Sequence, residues 1–394
     1  MQLNEYMSGS IRNIMAKAYK SVLTNPREAR FVLTLQKTFA RSEKRRAKVK
    51  REEGLDVPPF LISSISTINA IDSASFKDVP PFLISSISTT CNLSCKGCFA
   101  RANGIAADPG KSQRKTMSPE EWKAVFTEAA GLGINFSLLA GGEPMMRKDI
   151  LEKVAEVKDM IFPIFTNGTL IGPSYMEFLK KHLNMVPVIS IEGTEHGTDE
   201  RRGNGMFRRA MMAMEMLKKE NLFFGTSITV TTENMDFVTS KPFVNQLQEL
   251  GCKLIIYVEY VPTEQGTEHL ALSESDTERM EKVQEHLCEQ FANMIIISFP
   301  GDEKHLGGCL AGGRGFFHIG PDGAAEPCPF SPFSDSNVLS LGVRGALKSP
   351  LFQRLRDARL IGGEHTGGCA LWEHREEVAA IKQSLEMASP SVSS

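Results

Sequence analysis

Long apolar runs, an excess of charge of either sign and more than one close set of cysteines are what this chain of 394 residues lacks. No apolar run approaches the roughly 18 residues of a membrane span, and no stretch near the amino terminus has the apolar core of a signal peptide. The cytoplasm is therefore the expected location, without a membrane span. Lysine and arginine number 45 against 47 aspartates and glutamates, a net charge of -2. That balance leaves no electrostatic case for nucleic acid or an anionic membrane as partner. No repeat of about 20–50 residues marks a solenoid. What remains is a globular protein, for which 41% hydrophobic residues are ordinary. Its length suits a core of about 200–250 residues plus an appendage.

Eight cysteines are present, and in a reducing compartment they are expected as thiols or metal ligands rather than disulfides. Cys91, Cys95 and Cys98 share one short loop at the spacing C-x3-C-x2-C, directly after the apolar run Phe82–Ile87. Such a loop can fold three thiolates around one metal centre. A four-iron, four-sulfur cube held by three cysteines leaves its fourth iron open to a small molecule, and thiolate-held clusters reach low potentials. Zinc is the competing reading, but tetrahedral zinc wants four ligands. After Cys98 neither cysteine nor histidine occurs until His182. Cys252 and Cys288 sit in apolar helical or strand-edge patterns and read as packing residues.

Residues 1–55 read as a helical, basic amino-terminal region. Ile11, Ile14, Met15, Ala18 and Tyr19 recur at helical spacing, and seven basic residues fall between Arg41 and Arg51. That run reads as a solvated helix face or mobile terminus in preference to an arm for an acidic partner. The segment 56–67, DVPPFLISSIST, recurs unchanged at 78–89, as a tandem duplication of 22 residues would leave it. Only the second copy runs into the cysteine triplet. Residues 56–77 are therefore expected as an insert outside the catalytic core.

From residue 82 strands are expected at 82–88, 134–139, 161–166, 186–191, 223–230 and 254–261. Helical patterns lie between them near 148–160, 174–183, 205–220 and 239–251. Ser118-Pro119-Glu120-Glu121 predicts a capped helix start, ending at Gly131 or Gly133. A longer helix near 273–293 and an apolar run at 294–299 close the region. Six strands alternating with helices predict a parallel sheet or barrel, whose active-site groups come from loops at the carboxyl ends of the strands.

Those loops carry the informative residues. Strand two ends in Ala140-Gly141-Gly142-Glu143-Pro144, strand three in Phe165-Thr166-Asn167-Gly168-Thr169, and strand four in Ser190-Ile191-Glu192-Gly193, followed by Asp199-Glu200-Arg201-Arg202-Gly203. Glycines let a ligand approach the backbone, and the carbonyls there with Glu143 can accept hydrogen bonds from an ammonium group. Alone, each of these segments would be a turn. After a cysteine triplet they together resemble the radical SAM superfamily, over roughly residues 82–370.

The resemblance implies that Cys91, Cys95 and Cys98 hold a [4Fe-4S] cluster whose open iron binds S-adenosylmethionine. It assigns the methionine amino group to Gly141, Gly142 and Glu143, and places Asn167 near the cofactor and Ser190 near its ribose. Glu192 stands in place of the commoner aspartate. Arg202, or its neighbour Arg201, would face the cofactor's carboxylate, for which a guanidinium is well shaped. An aromatic residue usually precedes the third cysteine. Here Gly97 stands there, and Phe99 is the expected neighbour of the adenine instead. Thr229, Thr231, Glu259 and Tyr260 on strands five and six are expected to face the cavity alternately.

Beyond residue 300 the composition shifts to glycine, proline and serine, and Phe316–Ile319 and Ala324–Pro327 flank a Pro-Asp-Gly turn, which predicts a hairpin. The spacing C-x13-G-x4-C from Cys309 to Cys328 resembles the opening of the SPASM and twitch extensions, which carry auxiliary iron–sulfur clusters. Of the further cysteines of the full SPASM pattern only Cys369 is present. One auxiliary cluster on Cys309, Cys328 and Cys369 is expected, with an open iron or a fourth ligand from elsewhere, His305, His318 and His365 being near in sequence.

The expected fold is α/β, a partial (β/α)6 TIM-like barrel over residues 78–300 followed by a small cluster-binding domain over 301–394. The resemblance implies an enzyme that reductively cleaves S-adenosylmethionine to a 5′-deoxyadenosyl radical, which abstracts hydrogen from a peptide or from a small-molecule or cofactor precursor. A flavodoxin or ferredoxin would donate the electron. An iron–sulfur protein that binds S-adenosylmethionine without turnover is the alternative from a different class.

Overall fold

The computed structural model describes residues 26–53, 79–107, 115–300, 303, 308–362 and 369–388. Apolar strands alternating with amphipathic helices bury both strand faces when helices cover one of them. In chain order the elements are α1 (Pro26–Glu53), β1 (Phe82–Ser88), α2 (Pro119–Leu132), β2 (Phe136–Gly141), α3 (Lys148–Val154), β3 (Phe162–Thr166), α4 (Pro173–Lys181) and β4 (Met185–Ile191). There follow α5 (Glu195–Arg202), α6 (Met206–Lys219), β5 (Gly225–Val230), α7 (Lys241–Glu249), β6 (Leu254–Glu259), α8 (Glu274–Gln290) and β7 (Ile295–Phe299). Strands β1 to β7 lie side by side in sequence order, every neighbouring pair parallel. The six expected strands are present, and the apolar run at 294–299 adds a seventh.

Local chemistry sets the boundaries. Ser118 caps α2 in a reciprocal box, accepting from Glu121 N while the Glu121 carboxylate accepts from Ser118 N at 2.7 Å. Gly133 ends the helix in the left-handed region at φ 93°, where a glycine carries no side-chain penalty. The chain then continues past β7. Strands β8 (His318–Ile319) and β9 (Ala324–Glu326) form the expected hairpin, and β10 (Ser336–Asn337) follows. β8 pairs in parallel with β1, Ile84 opposite His318. The sheet thus has ten strands in the order β10-β9-β8-β1-β2-β3-β4-β5-β6-β7, and it continues across residue 300. Its two ends, β10 and β7, do not pair with each other, so the barrel is open. Helix α9 (Val338–Ala346) locks onto α2, whose Glu128 carboxylate accepts from Val343 N and Arg344 N at 2.9 and 3.0 Å.

Two apolar layers result. Leu83 and Ile87 of β1 join the core beneath the helices, whereas Ile84 and Phe82 face a second cluster containing Cys309, Cys328 and Phe316. The ring of Phe316 lies between Phe82 and Phe299, at 5.2 and 5.5 Å. It therefore spans from the first parallel strand to the last.

Helix α1 covers the amino ends of the strands. Phe31 stacks on Phe223 at 4.3 Å beside Ile161 and Val186, and Phe39 tilts over Phe136. Its basic run departs from the expected solvated face. Arg46 is only 5% exposed and donates from Nε to Gly133 O at 3.1 Å, while Arg41 and Arg45 both pair with Asp159. A bare helix end and a loop carboxylate are what these arginines neutralise. The helical pattern at 11–19 and the insert at 56–77 lie outside the described residues. Among the described residues no helix is long and apolar enough to cross a membrane.

Candidate active site

The loop after β1 is fixed by the loops after its neighbours. Asn92 donates to Thr169 Oγ1 at 2.8 Å and accepts from Asn167 Nδ2 at 2.9 Å. Lys96 N donates to Arg201 O at 2.9 Å, and Gly97 N to Glu264 Oε2 at 3.2 Å. Cys91, Cys95 and Cys98 are partly exposed, and each lies within electrostatic reach of the other two. Burial pushes the Cys91 thiol up to about 11, with Glu143 and the two other cysteines acting in the same sense and the Leu93 N–H opposing. Burial also raises Cys95, and the Arg202 guanidinium opposes it most strongly. Thiols held this way become thiolates when a cation arrives to share their charge.

Gly141 and Gly142 are required by a contact that the sequence reading did not anticipate. A Cβ on Gly141 would sit 2.4 Å from Ser88 O, and one on Gly142 would sit 2.1 Å from Thr90 O. What approaches this backbone so closely is the cysteine loop itself. Gly142 N and Glu143 N donate to Ser88 O and Thr90 O, each at 2.7 Å. Glu143 is 2% exposed, and its carboxylate accepts from Met145 N, Thr166 Oγ1 and Asn167 N at 2.8–2.9 Å. Burial raises its pKa, and those three hydrogen bonds pull the other way. Its side chain thus joins the loops after β2 and β3.

Across the mouth, the Glu192 carboxylate, 4% exposed, accepts from Arg201 NH1 and from Arg202 Nε at 2.5 and 2.7 Å. Arg201 is further committed to Thr229 Oγ1 at 2.7 Å and to Lys96 O at 3.2 Å. Arg202 instead lies beside Cys95 and Cys98. The two adjacent arginines are thereby distinguished. Arg201 braces the cysteine loop and Arg202 faces it. Ser190 is the one partly exposed residue of β4 and stands opposite Ser227 of β5. Asn167 belongs to the chain of amides that pins the cysteine loop.

Gly97 has φ 62°, and a Cβ there would meet the Tyr260 hydroxyl at 2.7 Å and its ring at 3.0 Å. The aromatic missing before Cys98 is replaced in space by one arriving from the end of β6. The Tyr260 hydroxyl is buried without a hydrogen-bond partner. Phe99 turns elsewhere, its ring 5.2 Å from Phe330 in the second apolar cluster. A local reading of the loop found Phe99. The tyrosine is 162 residues from Cys98 (260 minus 98), and only its strand-end position pointed to it.

A second set of thiols lies in the carboxyl-terminal segment. Cys309, Cys328 and Cys369 are within electrostatic reach of one another, and burial raises all three, Cys369 to about 12. His318, one of the histidines near them in sequence, has both ring nitrogens engaged. Nε2 meets Ser86 Oγ at 2.8 Å and Nδ1 meets Glu326 Oε2 at 2.7 Å, all three residues buried. It ties β1 to the hairpin and is not available as a ligand. His305 and His365 lie outside the described residues. Cys252 and Cys288 are buried in packing contacts, Cys252 against Leu254 O at 3.2 Å. Among the described residues no three His, Cys, Asp or Glu side chains close on one point as ligands of a single ion.

Comparison with known proteins follows the same outline. Residues 85–239 match the model of the radical SAM superfamily. The chain is 28% identical to an AdoMet-dependent heme synthase of Methanosarcina barkeri, over 74% of this chain and 88% of that one. It is 27% identical to the mycofactocin maturase MftC of Mycobacterium tuberculosis, over 72% and 74%. Its fold matches that of Streptococcus suis SuiB bound to the precursor peptide SuiA, with a TM-score of 0.56, 18% identity and coverage of 82% and 80%. With a cysteine triplet, its bracing loops and a parallel open barrel in these positions, residues 85–239 form a radical SAM domain.

Proposed function

We propose that this enzyme uses its triplet thiols and strand-end loops to activate S-adenosylmethionine against a carbon–hydrogen bond of a peptide. Cys91, Cys95 and Cys98 hold the [4Fe-4S] cluster, Gly141 to Glu143 receive the methionine ammonium on backbone carbonyls, Arg202 pairs with its carboxylate, and Ser190 and Asn167 line the ribose side. The observation that carries this reading is mutual bracing. Four strand-end loops fix one another around three thiols and one inward guanidinium. When bound, the cluster and S-adenosylmethionine supply one-electron carbon–sulfur cleavage and a 5′-deoxyadenosyl radical for hydrogen abstraction. The chain's own contribution is to orient the reactants and exclude water.

Cys309, Cys328 and Cys369 are proposed as ligands of one auxiliary cluster. The barrel over 78–300, the auxiliary segment over 301–394, a cytoplasmic location and a flavodoxin- or ferredoxin-type electron donor complete the proposal. The open edge between β7 and β10 suits an extended peptide, as does the likeness to MftC and to SuiB with its precursor peptide. A heme-type precursor is the second reading, favoured by the match over most of an AdoMet-dependent heme synthase.

Anaerobic reconstitution with iron, sulfide and a strong reductant tests the core of the proposal. 5′-Deoxyadenosine is expected from the wild type and none from Cys91→Ala, Cys95→Ala or Cys98→Ala. Full cleavage by any of these variants would sink it. Turnover stimulated by peptides, and not by a heme precursor, separates the two substrate readings.

A further inference from the structure

Glu303 is 3% exposed, and one of its carboxylate oxygens, Oε1, has no hydrogen-bond partner. The carboxylate is otherwise in contact with the Leu310 N–H and the Cys309 thiol, with Arg314 and Glu259 within electrostatic reach. Arg314 directs NH1 to Gly308 O and Cys309 O at 2.8 and 3.1 Å. Both Cys309 and Cys328 feel the Glu303 charge, as does Cys369. A buried acceptor without a donor is costly, and a carboxylate set among three thiolates adds like charge to like. An iron–sulfur cluster bound by all four groups would reverse both penalties, and iron accepts carboxylate oxygen as well as thiolate. His318, which lies in sequence between Cys309 and Cys328, is already engaged at both ring nitrogens by Ser86 and Glu326.

We infer that Glu303 is the fourth protein ligand of the auxiliary cluster, its carboxylate closing the iron that Cys309, Cys328 and Cys369 leave open. This rests on the reading of those three thiols as cluster ligands. A saturated cluster would serve electron transfer or electrostatics and would not bind substrate directly.

The test uses the full chain carrying Cys91→Ala, Cys95→Ala and Cys98→Ala, so that only the auxiliary site loads iron. Its readouts are iron and sulfide content, circular dichroism, and electron paramagnetic resonance of the reduced cluster with and without added imidazole. In this background a loaded cluster insensitive to imidazole is expected. Adding Glu303→Gln should open one iron, so that imidazole shifts the resonance, whereas Glu303→Cys should keep the cluster closed. If Glu303→Gln loses its iron while Glu303→Cys retains it, the ligand role is equally supported.

The inference is overturned if imidazole leaves the Glu303→Gln spectrum unchanged, or shifts that of the background before Glu303 is altered. It is also overturned if both Glu303 variants fold and neither holds iron. A different result marks failure of the underlying reading. That result is iron content at the auxiliary site unaltered when Cys309, Cys328 and Cys369 are also replaced, or a background chain that never loads a cluster.

Discussion

At the scale of single residues, the motif side chains mostly act on one another. Glu143 spends its acceptors on the neighbouring loop, Asn167 on Asn92, and Arg201 on the backbone on either side of the Lys96–Gly97 bond. Such mutual fixing holds a first shell in place before any ligand arrives. Gly142 tests it most directly. Gly142→Ala puts a Cβ at 2.1 Å from Thr90 O, where only backbone can give way. The expected cost is about 1–3 kcal/mol from overpacking, together with loss of iron from the triplet site after reconstitution. Gly131→Ala, with open space around it, should leave melting temperature and iron content near wild type. Equal iron loading in the two variants would refute the account.

At the scale of elements, strands and helices were legible because their apolar periodicity is local, as the Ser118 capping box and the seven parallel strands show. The seat of α1 was not. Its arginines read as a solvated run because their acceptors, Gly133 O and Asp159, lie about a hundred residues away in sequence. Tyr260 was legible as a strand-end residue facing the cavity, but its place against Gly97 was hidden for the same reason. The reach of long side chains to distant backbone is a tertiary fact with no local signature.

The docking of α1 carries a pH dependence. Burial alone would raise Asp159, but the hydrogen bonds from Arg45 and Arg41 prevail and hold it below the usual range. A depressed carboxylate contributes stability that is complete above its unfolded value of about 3.9 and is lost as pH falls through the folded value. Amide exchange in 26–53 should therefore rise on acidification below about pH 4 before the barrel itself opens. In Asp159→Asn it should already be faster at neutral pH. Identical exchange in the two proteins at neutral pH would show that the arginines do not anchor the helix.

At the scale of the whole molecule, one sheet serves both halves. β1 pairs with β2 on one side and with β8 on the other, and Phe316 reaches from the hairpin into the barrel between Phe82 and Phe299. Phe316→Ala should cost about 3–5 kcal/mol. Because the ring belongs to both parts, barrel and carboxyl-terminal segment should lose stability together, in a single shifted denaturation transition. Two separated transitions, with only one of them moved, would show that the parts fold independently.

Phe99 links the loop of the cysteine triplet to the carboxyl-terminal segment. It follows Cys98 directly, and its ring lies 5.2 Å from that of Phe330, two residues beyond Cys328. Any electron exchanged between the two sets of thiols thus has a route of a few covalent bonds and a single gap between two rings.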